Sequence, residues 1–304
     1  RNHRPLLLRN GHPALHRLLL GQEAGVSREC ELNLSAVGGR EEERAAAPIV
    51  PTGGLWCILG WMGTYFIGTS GFSYADWVGP FYPEGLKKSE FLPYYAERFP
   101  FVELNFTYYR QPSVSAMENL VAKTPSSFLF SVKAHGSMTH EREENWKKNT
   151  TTFIEGIAPL SETGSLAGVL LQFPYSFHYT KENRRYLASL TEEIQSRGNL
   201  ALLVEFRNRD WSGPQVDEEL RRRGIGKVVT DTPQLRNLPE IEPVCTASTS
   251  YIRLHGRNSE NWWTGDNTSR YDYLYSESEL NELLPIIQNL LNSTRRLFIA
   301  FNNH

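Results

Sequence analysis

Short runs of apolar residues recur along the chain, and most are followed by a polar stretch with helical character. Within the runs, apolar and polar positions alternate little, which is typical of strands buried on both faces of a parallel sheet. Strands are predicted at residues 65–70, 101–105, 128–134, 167–173, 201–207, 227–231, 250–256 and 297–302. Their starts lie on average about 33 residues apart, close to the length of one strand–helix unit.

The stretches between these strands carry helix signals. Ser276 and Glu279 form a Ser-x-x-Glu capping box, and Ser113 and Thr180 are suited to be N-caps. Helices are predicted at residues 88–99, 113–123, 180–198, 217–224 and 276–291. Prolines within 232–249 argue against a long helix in that segment.

Strands that alternate with helices in this way favour an α/β fold of the (β/α)8 TIM-barrel-like type, with parallel strands. A doubly wound open sheet is the alternative. That fold usually carries a glycine-rich phosphate-binding turn after its first strand. Here the first strand leads into GTSGFSYADW, which no helical pattern follows directly.

The two ends of the chain differ from this pattern. Residues 1–61 show no sustained helical or strand periodicity, and we interpret them as a disordered or non-native N-terminal extension. Residues 62–304 then form a single TIM-barrel-like domain that starts at Met62. The sequence stops at His304, directly after the last predicted strand, so the closing C-terminal helix is expected to be missing.

Composition narrows the classes of function. The chain has 304 residues and a formal net charge of −2, which gives no general reason to expect nucleic-acid or membrane binding. No run of 18 apolar residues occurs, which excludes a membrane-spanning helix. Within 62–304, Cys245 is the sole cysteine, which suits a soluble protein of the reducing cytoplasm.

Polar side chains collect where the predicted strands end. In a (β/α)8 barrel the C-terminal strand ends form the mouth that carries the chemistry. The candidates for catalysis are Glu205, Glu103, His255 and Asp231. The candidates for substrate binding are Tyr74, Asn105, Tyr108, Lys133, His135, Gln172, Arg207, Trp211, Arg253, Arg257, Asn303 and His304.

Two interpretations of the charged pairs stay open. Glu205 and Arg207 lie two residues apart and so share a strand face, as do Arg253 and His255. In the first interpretation, an anionic ligand binds between Arg207 and Arg253, with Glu205 as the acid or base. In the second, the opposite charges neutralise one another in a buried structural network.

No cofactor is required by the sequence. The residues Glu103, His135, Glu205, Asp231 and His255 have acceptable ligand types for a metal ion. However, no HExxH or paired-histidine spacing is present, and the neighbouring cations oppose metal binding. No metal is therefore assigned. A GxSxG hydrolase motif and a P-loop are also absent from the sequence.

Several longer motifs resemble a known family, the YecE-like family or domain of unknown function 72, over about residues 68 to 304. They are GTSGFSYADWVGPFYP, VELNFTYYRQPS, FLFSVKAHGSMTH, LLQFPYSF, VEFRNRDW, RLHGRNSENWW, RYDYLYS and FNNH. The resemblance implies a TIM-barrel-like fold but no established reaction. Family members usually have Trp at the position of Phe72 and often His at that of Asn208, and their chains normally continue into a final helix.

Three classes of function follow as hypotheses. The first is a soluble enzyme that acts on a small anionic or sugar-like, polyhydroxylated molecule at the barrel mouth. The second is a barrel that binds or processes nucleic acid, supported by the mixture of basic and aromatic residues there. The third is a non-catalytic ligand-binding protein. The aromatic segments 77–83 and 260–275 are either lids packed on their own rings or surfaces that stack on a ligand.

Overall fold

Parallel strands close into a barrel in the computed structural model, which describes residues 63–303. Each strand pairs with the next in chain order, and β8 pairs with β1 to close the circle. The predicted (β/α)8 class is therefore confirmed. The strands are β1 Thr64–Ser70, β2 Phe101–Leu104, β3 Leu129–Lys133, β4 Leu166–Gln172, β5 Leu202–Glu205, β6 Gly226–Asp231, β7 Thr249–Leu254 and β8 Arg296–Phe301.

Helices follow most of the strands and cover the outside of the barrel. They are α1 Phe91–Ala96, α2 Phe106–Tyr109, α3 Val114–Ala122, α4 Trp146–Glu162, α5 Lys181–Gln195, α6 Pro214–Arg222, α7 Asn267–Arg270 and α8 Glu277–Leu291. Single turns of tighter or wider helix occur at Ala75–Trp77, Lys88–Glu90, Ser137–Glu141 and Arg209–Trp211. Within the described residues no helix connects β6 to β7, as the prolines of that segment predict.

The predicted helix caps are confirmed. Ser276 accepts a hydrogen bond from the backbone N–H of Glu279, whose carboxylate accepts one from the N–H of Ser276. Ser113 and Thr180 cap α3 and α5 in the same way, through their side-chain oxygens. Local sequence therefore determines where these helices start.

Helix α4 was not predicted. Its sequence contains Gly156 and Pro159, both of which disfavour a helix interior. Packing compensates for this low propensity, because Phe153 and the rest of one face are buried against the barrel. Gly156 also permits a close approach, since a Cβ atom there would lie 2.3 Å from the carbonyl oxygen of Pro112.

The inside of the barrel is filled in two layers. The first is apolar and consists of Phe101, Ala167, Leu170, Leu203, Val228, Tyr251, Phe298 and Ala300. Alternation along the strands places the second layer two residues further on, at Glu103, Glu205 and Arg253. The apolar layer, in which the ring centres of Phe101 and Phe298 are 5.1 Å apart, forms the floor of a polar mouth.

Two of the sequence-based assignments lie outside the described residues. These are the N-terminal extension, 1–61, and the candidate binding residue His304. In the described range, none of the helices combines the length and the apolar character needed to cross a membrane.

Candidate functional site

A buried ion pair forms the centre of the polar mouth. Arg253 donates to both carboxylate oxygens of Glu103, from Nη2 at 2.6 Å and from Nε at 3.0 Å. Ser70 and Tyr251 donate to the same carboxylate at 2.8 and 2.9 Å. Because both oxygens of Glu103 have donors, the cost of burying its charge is offset by hydrogen bonds as well as by Arg253.

Glu205 joins a second arginine to this network. Its Oε2 accepts from Nη1 of Arg253 at 2.6 Å, and its Oε1 accepts from Nε of Arg207 at 2.5 Å. Burial would raise the pKa of Glu205, but Arg207, Arg253 and His255 outweigh burial and hold the pKa well below its usual range. Glu205 is therefore ionised at neutral pH.

The four charges of this network balance. Two carboxylates face two guanidiniums, and the carboxylate of Glu205 bridges Arg207 and Arg253. This carboxylate occupies the place between the two arginines where an anionic ligand was predicted. The arrangement therefore favours the second interpretation of the charged pairs, in which the chain supplies its own neutralising anion.

His255 completes the network as a neutral ring. It is fully buried, and burial, followed by the positive charge of Arg207, lowers its pKa to about 3. The side-chain amide of Asn302 lies 2.9 Å from Nδ1 and also accepts from Arg253, which assigns the amide N–H as the donor to His255. The ring proton is then on Nε2, 3.3 Å from Oε1 of Glu205.

Lys133, the last residue of β3, is left outside this charge balance. Its Nζ forms no hydrogen bond or ion pair within residues 63–303 and lies 4.5 Å from the centre of the Tyr108 ring. Burial, followed by the charge of Arg253, lowers the pKa of Lys133 to about 7, against the opposing effect of Glu205. At a desolvated site the ring face favours the protonated amine by about 2 kcal/mol, which is too little to reverse the shift. A substantial fraction of the amine is uncharged at neutral pH.

A cavity of about 620 Å³ opens above the network. Small-molecule sites have volumes of roughly 300–1,000 Å³, so this one is large enough for a metabolite. Aromatic side chains form much of its wall, namely Tyr74, Trp77, Phe99, Tyr108, Tyr109, Tyr175, Trp262, Trp263, Tyr271 and Phe301. Among the predicted binding residues, those that line it are Tyr74, Asn105, Tyr108, Lys133, Gln172, Arg207, Arg253 and Asn303.

Three polar side chains in the cavity wall have unused bonding capacity. The Oδ1 atoms of Asn105 and Asn303 are buried, and no donor from the described part of the chain reaches them. Arg270 forms no ion pair with any described residue, and its Nε is buried without a partner. Leaving a buried polar group unpaired costs about 1–3 kcal/mol. A ligand with hydroxyl groups and an anionic group would satisfy all three residues.

Sequence reasoning missed Tyr175, Arg270 and Tyr271 as cavity residues. Burial would raise the pKa of Tyr271, but Arg207 and Arg253 outweigh burial and lower it. The hydroxyl of Tyr271 accepts from Nη2 of Arg207 at 3.4 Å. Tyr175 follows β4, and the other two lie in the long connection after β7, so none is at a strand end. The sequence feature that could have indicated Arg270 and Tyr271 is the aromatic segment 260–275, in which both lie.

Asp231 and Arg257 form a separate cluster that does not line the cavity. Nε of Arg257 donates to both oxygens of Asp231 at 3.1 Å, and the Tyr275 hydroxyl donates to Asp231 at 2.5 Å. Arg257 also donates to Glu282 of α8 at 2.8 Å. Burial raises the pKa of Asp231 in spite of these bonds. The cluster ties the end of β6 to the start of the long connection after β7.

Trp211 and His135 are also held away from the cavity wall. The Trp211 ring stacks on Phe206 with centres 4.3 Å apart, and its N–H donates to the carbonyl of Phe177 at 2.6 Å. Nδ1 of His135 lies 2.8 Å from the Ser137 hydroxyl, at the turn that follows β3. Both side chains have local partners that account for their positions.

The candidate metal ligands do not come together around one point. Among residues 63–303, no group of three or more His, Cys, Asp or Glu side chains is arranged to hold a metal ion. Arg253 lies between Glu103 and Glu205, while Asp231 belongs to the separate cluster with Arg257.

The fold and the site together define a (β/α)8-barrel protein with an aromatic-walled, polar cavity at the C-terminal ends of its strands. The family described as "Protein of unknown function DUF72" matches residues 66–304. The chain belongs to this family, which confirms the resemblance seen in its motifs.

Relatives of known sequence or structure share most of this chain. It is 30% identical over 255 residues to UPF0759 protein YunF of Bacillus subtilis, a match that covers 79% of this chain and 88% of YunF. A crystal structure of a DUF72 family protein from Thermotoga maritima is 41% identical, with a TM-score of 0.71, and covers 78% of this chain and 92% of that one. A crystal structure of a DUF72 family protein from Enterococcus faecalis is 27% identical, with a TM-score of 0.69, and covers 79% of this chain and 89% of that one.

Proposed function

We propose that this protein is an enzyme that acts on a small anionic or polyhydroxylated molecule bound in the cavity at the barrel mouth. The observation that supports this most is the state of Lys133. Its amine lines the cavity without a hydrogen bond or ion pair among the described residues, and its pKa is lowered to about 7. Strongly shifted groups in clefts are typical of catalytic sites.

Each part of the site then has a distinct task. Lys133 is the nucleophile or base, because an uncharged amine has a lone pair to donate. Tyr271, whose pKa is lowered and which also lines the cavity, is the partner acid. The charge-balanced network of Glu103 and Glu205 with Arg207 and Arg253 is a rigid support that fixes the local electric field. We infer a cytoplasmic location, which suits the free thiol of Cys245.

Depletion of compounds from a deproteinised cell extract tests this function. Mass spectrometry before and after incubation should show at least one anionic or polyhydroxylated compound consumed by the protein. The rate should fall by about 10²-fold or more in Lys133→Met, as is usual for removal of an acid–base or nucleophilic group. The matched control is Lys148→Met, because Lys148 is exposed on α4 and should leave the rate unchanged.

Two other results would contradict the proposal. Stoichiometric retention of a compound with no turnover would indicate a non-catalytic ligand-binding protein. Binding of an oligonucleotide that weakens steeply with salt, with no compound consumed, would instead indicate a nucleic-acid-binding barrel, since phosphate contacts release counterions.

A further inference from the structure

We propose, as an extension that rests on the function above, that Lys133 forms a covalent imine with the carbonyl group of an anionic polyhydroxy compound. Lys133 supplies the amine, Arg270 supplies the charge for the anionic group, and Asn105 and Asn303 accept hydrogen bonds from hydroxyl groups. All four side chains line the same cavity. The substrate class is therefore a hydroxylated keto or aldehyde acid, or a phosphorylated sugar in its open-chain form.

The position of Lys133 is suited to nucleophilic attack. It ends β3 at the mouth, where the residue is partly buried, and its Nζ, which lies over the Tyr108 ring, forms no hydrogen bond or ion pair within residues 63–303. A lysine that is desolvated and close to other cations is the usual form of a Schiff-base residue. Here those cations are Arg253 and Arg207, which the two glutamates hold in place.

The chemistry of the imine can be written from groups in the cavity. The amine lone pair forms a C–N bond to the carbonyl carbon, and the π electrons of the carbonyl bond move to its oxygen. One amine proton is transferred to that oxygen, giving a hydroxyl group. A second proton, which we assign to the hydroxyl of Tyr271, allows the hydroxyl group to leave as water. The product is a protonated imine, with Tyr271 as the phenolate beside Arg207.

The anion-binding role is assigned to Arg270 because the other cavity arginines already have carboxylate partners. Arg207 and Arg253 are both bonded to Glu205, whereas Arg270 has only a 3.4 Å contact with the carbonyl of Gly265. Asn303 donates from Nδ2 to the carbonyl of Tyr273 at 2.7 Å, which leaves its buried Oδ1 as an acceptor.

The charged and titratable groups around Lys133 determine the pH dependence of this reaction. Arg253 on β7 and Arg207 after β5 favour the neutral amine, while Glu205 on β5 and Glu103 on β2 favour the protonated one. Tyr108 and His140 lie on the side of α2 and the turn after β3, and His140 is neutral at pH 7 because burial and Lys133 lower its pKa to about 4. Imine formation should rise through neutral pH as Lys133, with a pKa of about 7, loses its proton, and it should fall again at higher pH, where Tyr271, whose pKa is lowered, loses the proton that it donates.

Reductive trapping tests the proposal on the full protein. The probes are dihydroxyacetone phosphate, pyruvate and uncharged dihydroxyacetone, each incubated at pH 7 with sodium cyanoborohydride. Peptide mass spectrometry then measures the adduct on each of the eight lysines. We expect Lys133 to carry about tenfold more adduct than any other lysine, since its neutral fraction exceeds that of an ordinary lysine by far more than tenfold.

The same experiment separates the parts of the proposal. An anionic probe should label Lys133 more than dihydroxyacetone does, and Arg270→Gln should remove that preference while Arg222→Gln, on the exposed face of α6, should not. Labelling of Lys133 at the level of the exposed Lys147 and Lys148 with all three probes would overturn the imine. If the cell-extract assay still shows a compound consumed in that case, the imine alone fails. If nothing is consumed either, the proposed function fails with it.

Discussion

Replacement of Arg253 by methionine is expected to lower the free energy of unfolding at pH 7 by about 3–5 kcal/mol, the usual cost of removing one partner of a buried ion pair. Methionine fills much of the volume of the Arg253 side chain, so the loss of stability measures the removal of the charge and not the creation of a cavity. Glu103 loses both of its guanidinium bonds and Glu205 loses one. Urea unfolding followed by circular dichroism measures the difference from wild type.

The effect of Arg253→Met should shrink as pH is lowered. In the wild type the pKa of Glu205 is well below its unfolded value of about 4.3, so its contribution is present above pH 4.3 and is lost as pH falls through the folded pKa. In the variant the positive charge of Arg253 no longer opposes the effect of burial on Glu205, so the pKa of Glu205 rises. Protonation then relieves the unpaired charge, and the two proteins become more alike near pH 4.

A control variant of similar chemistry separates burial from charge. Arg222→Met removes a guanidinium that bonds to Glu219 on the exposed face of α6, where the Arg222 side chain is 67% exposed. We expect no resolvable change in the free energy of unfolding there, because solvent screens an exposed ion pair. A loss below about 1 kcal/mol for Arg253→Met as well would mean that the network does not hold the barrel mouth together.

Lys133→Met is expected to raise the free energy of unfolding at pH 7 by about 1–3 kcal/mol, because an amine that loses hydration without gaining a hydrogen bond or a carboxylate partner opposes folding. The folded pKa of Lys133 is about 7, and the unfolded value is about 10.4. Between these values the unfolded chain binds more protons, so wild-type stability rises with pH. The gain from methionine should be largest at pH 7 and below and should disappear as pH approaches 10.4.

Unfolding of both proteins at pH 7, 8 and 9 checks this expectation. Lys148→Met, at an exposed position on α4, is the control and should give no pH-dependent difference. A loss of stability in Lys133→Met that is the same at all three values would show that Lys133 contributes packing rather than a destabilising charge. Stability gained together with activity lost is the pattern expected of a functional residue.

Most of the fold could be predicted from local sequence. The strands are rich in Val, Ile, Leu and Phe, and the caps at Ser113, Thr180 and Ser276 specify helix starts. Helix α4 could not be predicted, because Gly156 and Pro159 lower its local propensity and only tertiary burial stabilises it. The start of α6 at Pro214, rather than at residue 217, reflects a proline at the first helical turn.

The location of the candidate site could be predicted from the sequence, but the ion pairs between its side chains could not. The strand ends identified Glu103, Lys133, Glu205 and Arg253 because position in a (β/α)8 barrel depends on chain order alone. A cation at one strand end finds a carboxylate partner only if its side chain is long enough to contact one on another strand across the mouth. Arg253 and Glu103, for example, pair although 150 residues separate them in sequence. Sequence therefore could not distinguish Lys133, which has no such partner, from the neutralised arginines.

Titration of the Lys133 amine in the folded protein tests this description of the site most directly. Protein labelled with ¹⁵N and ¹³C in its lysines gives one side-chain signal for each of eight residues, and Lys133→Arg identifies the signal of Lys133. We expect this signal to titrate with a midpoint at about pH 7. A midpoint near 10.4, together with those of ordinary lysines, would show that the amine is solvated and charged and would contradict its role as the reactive group.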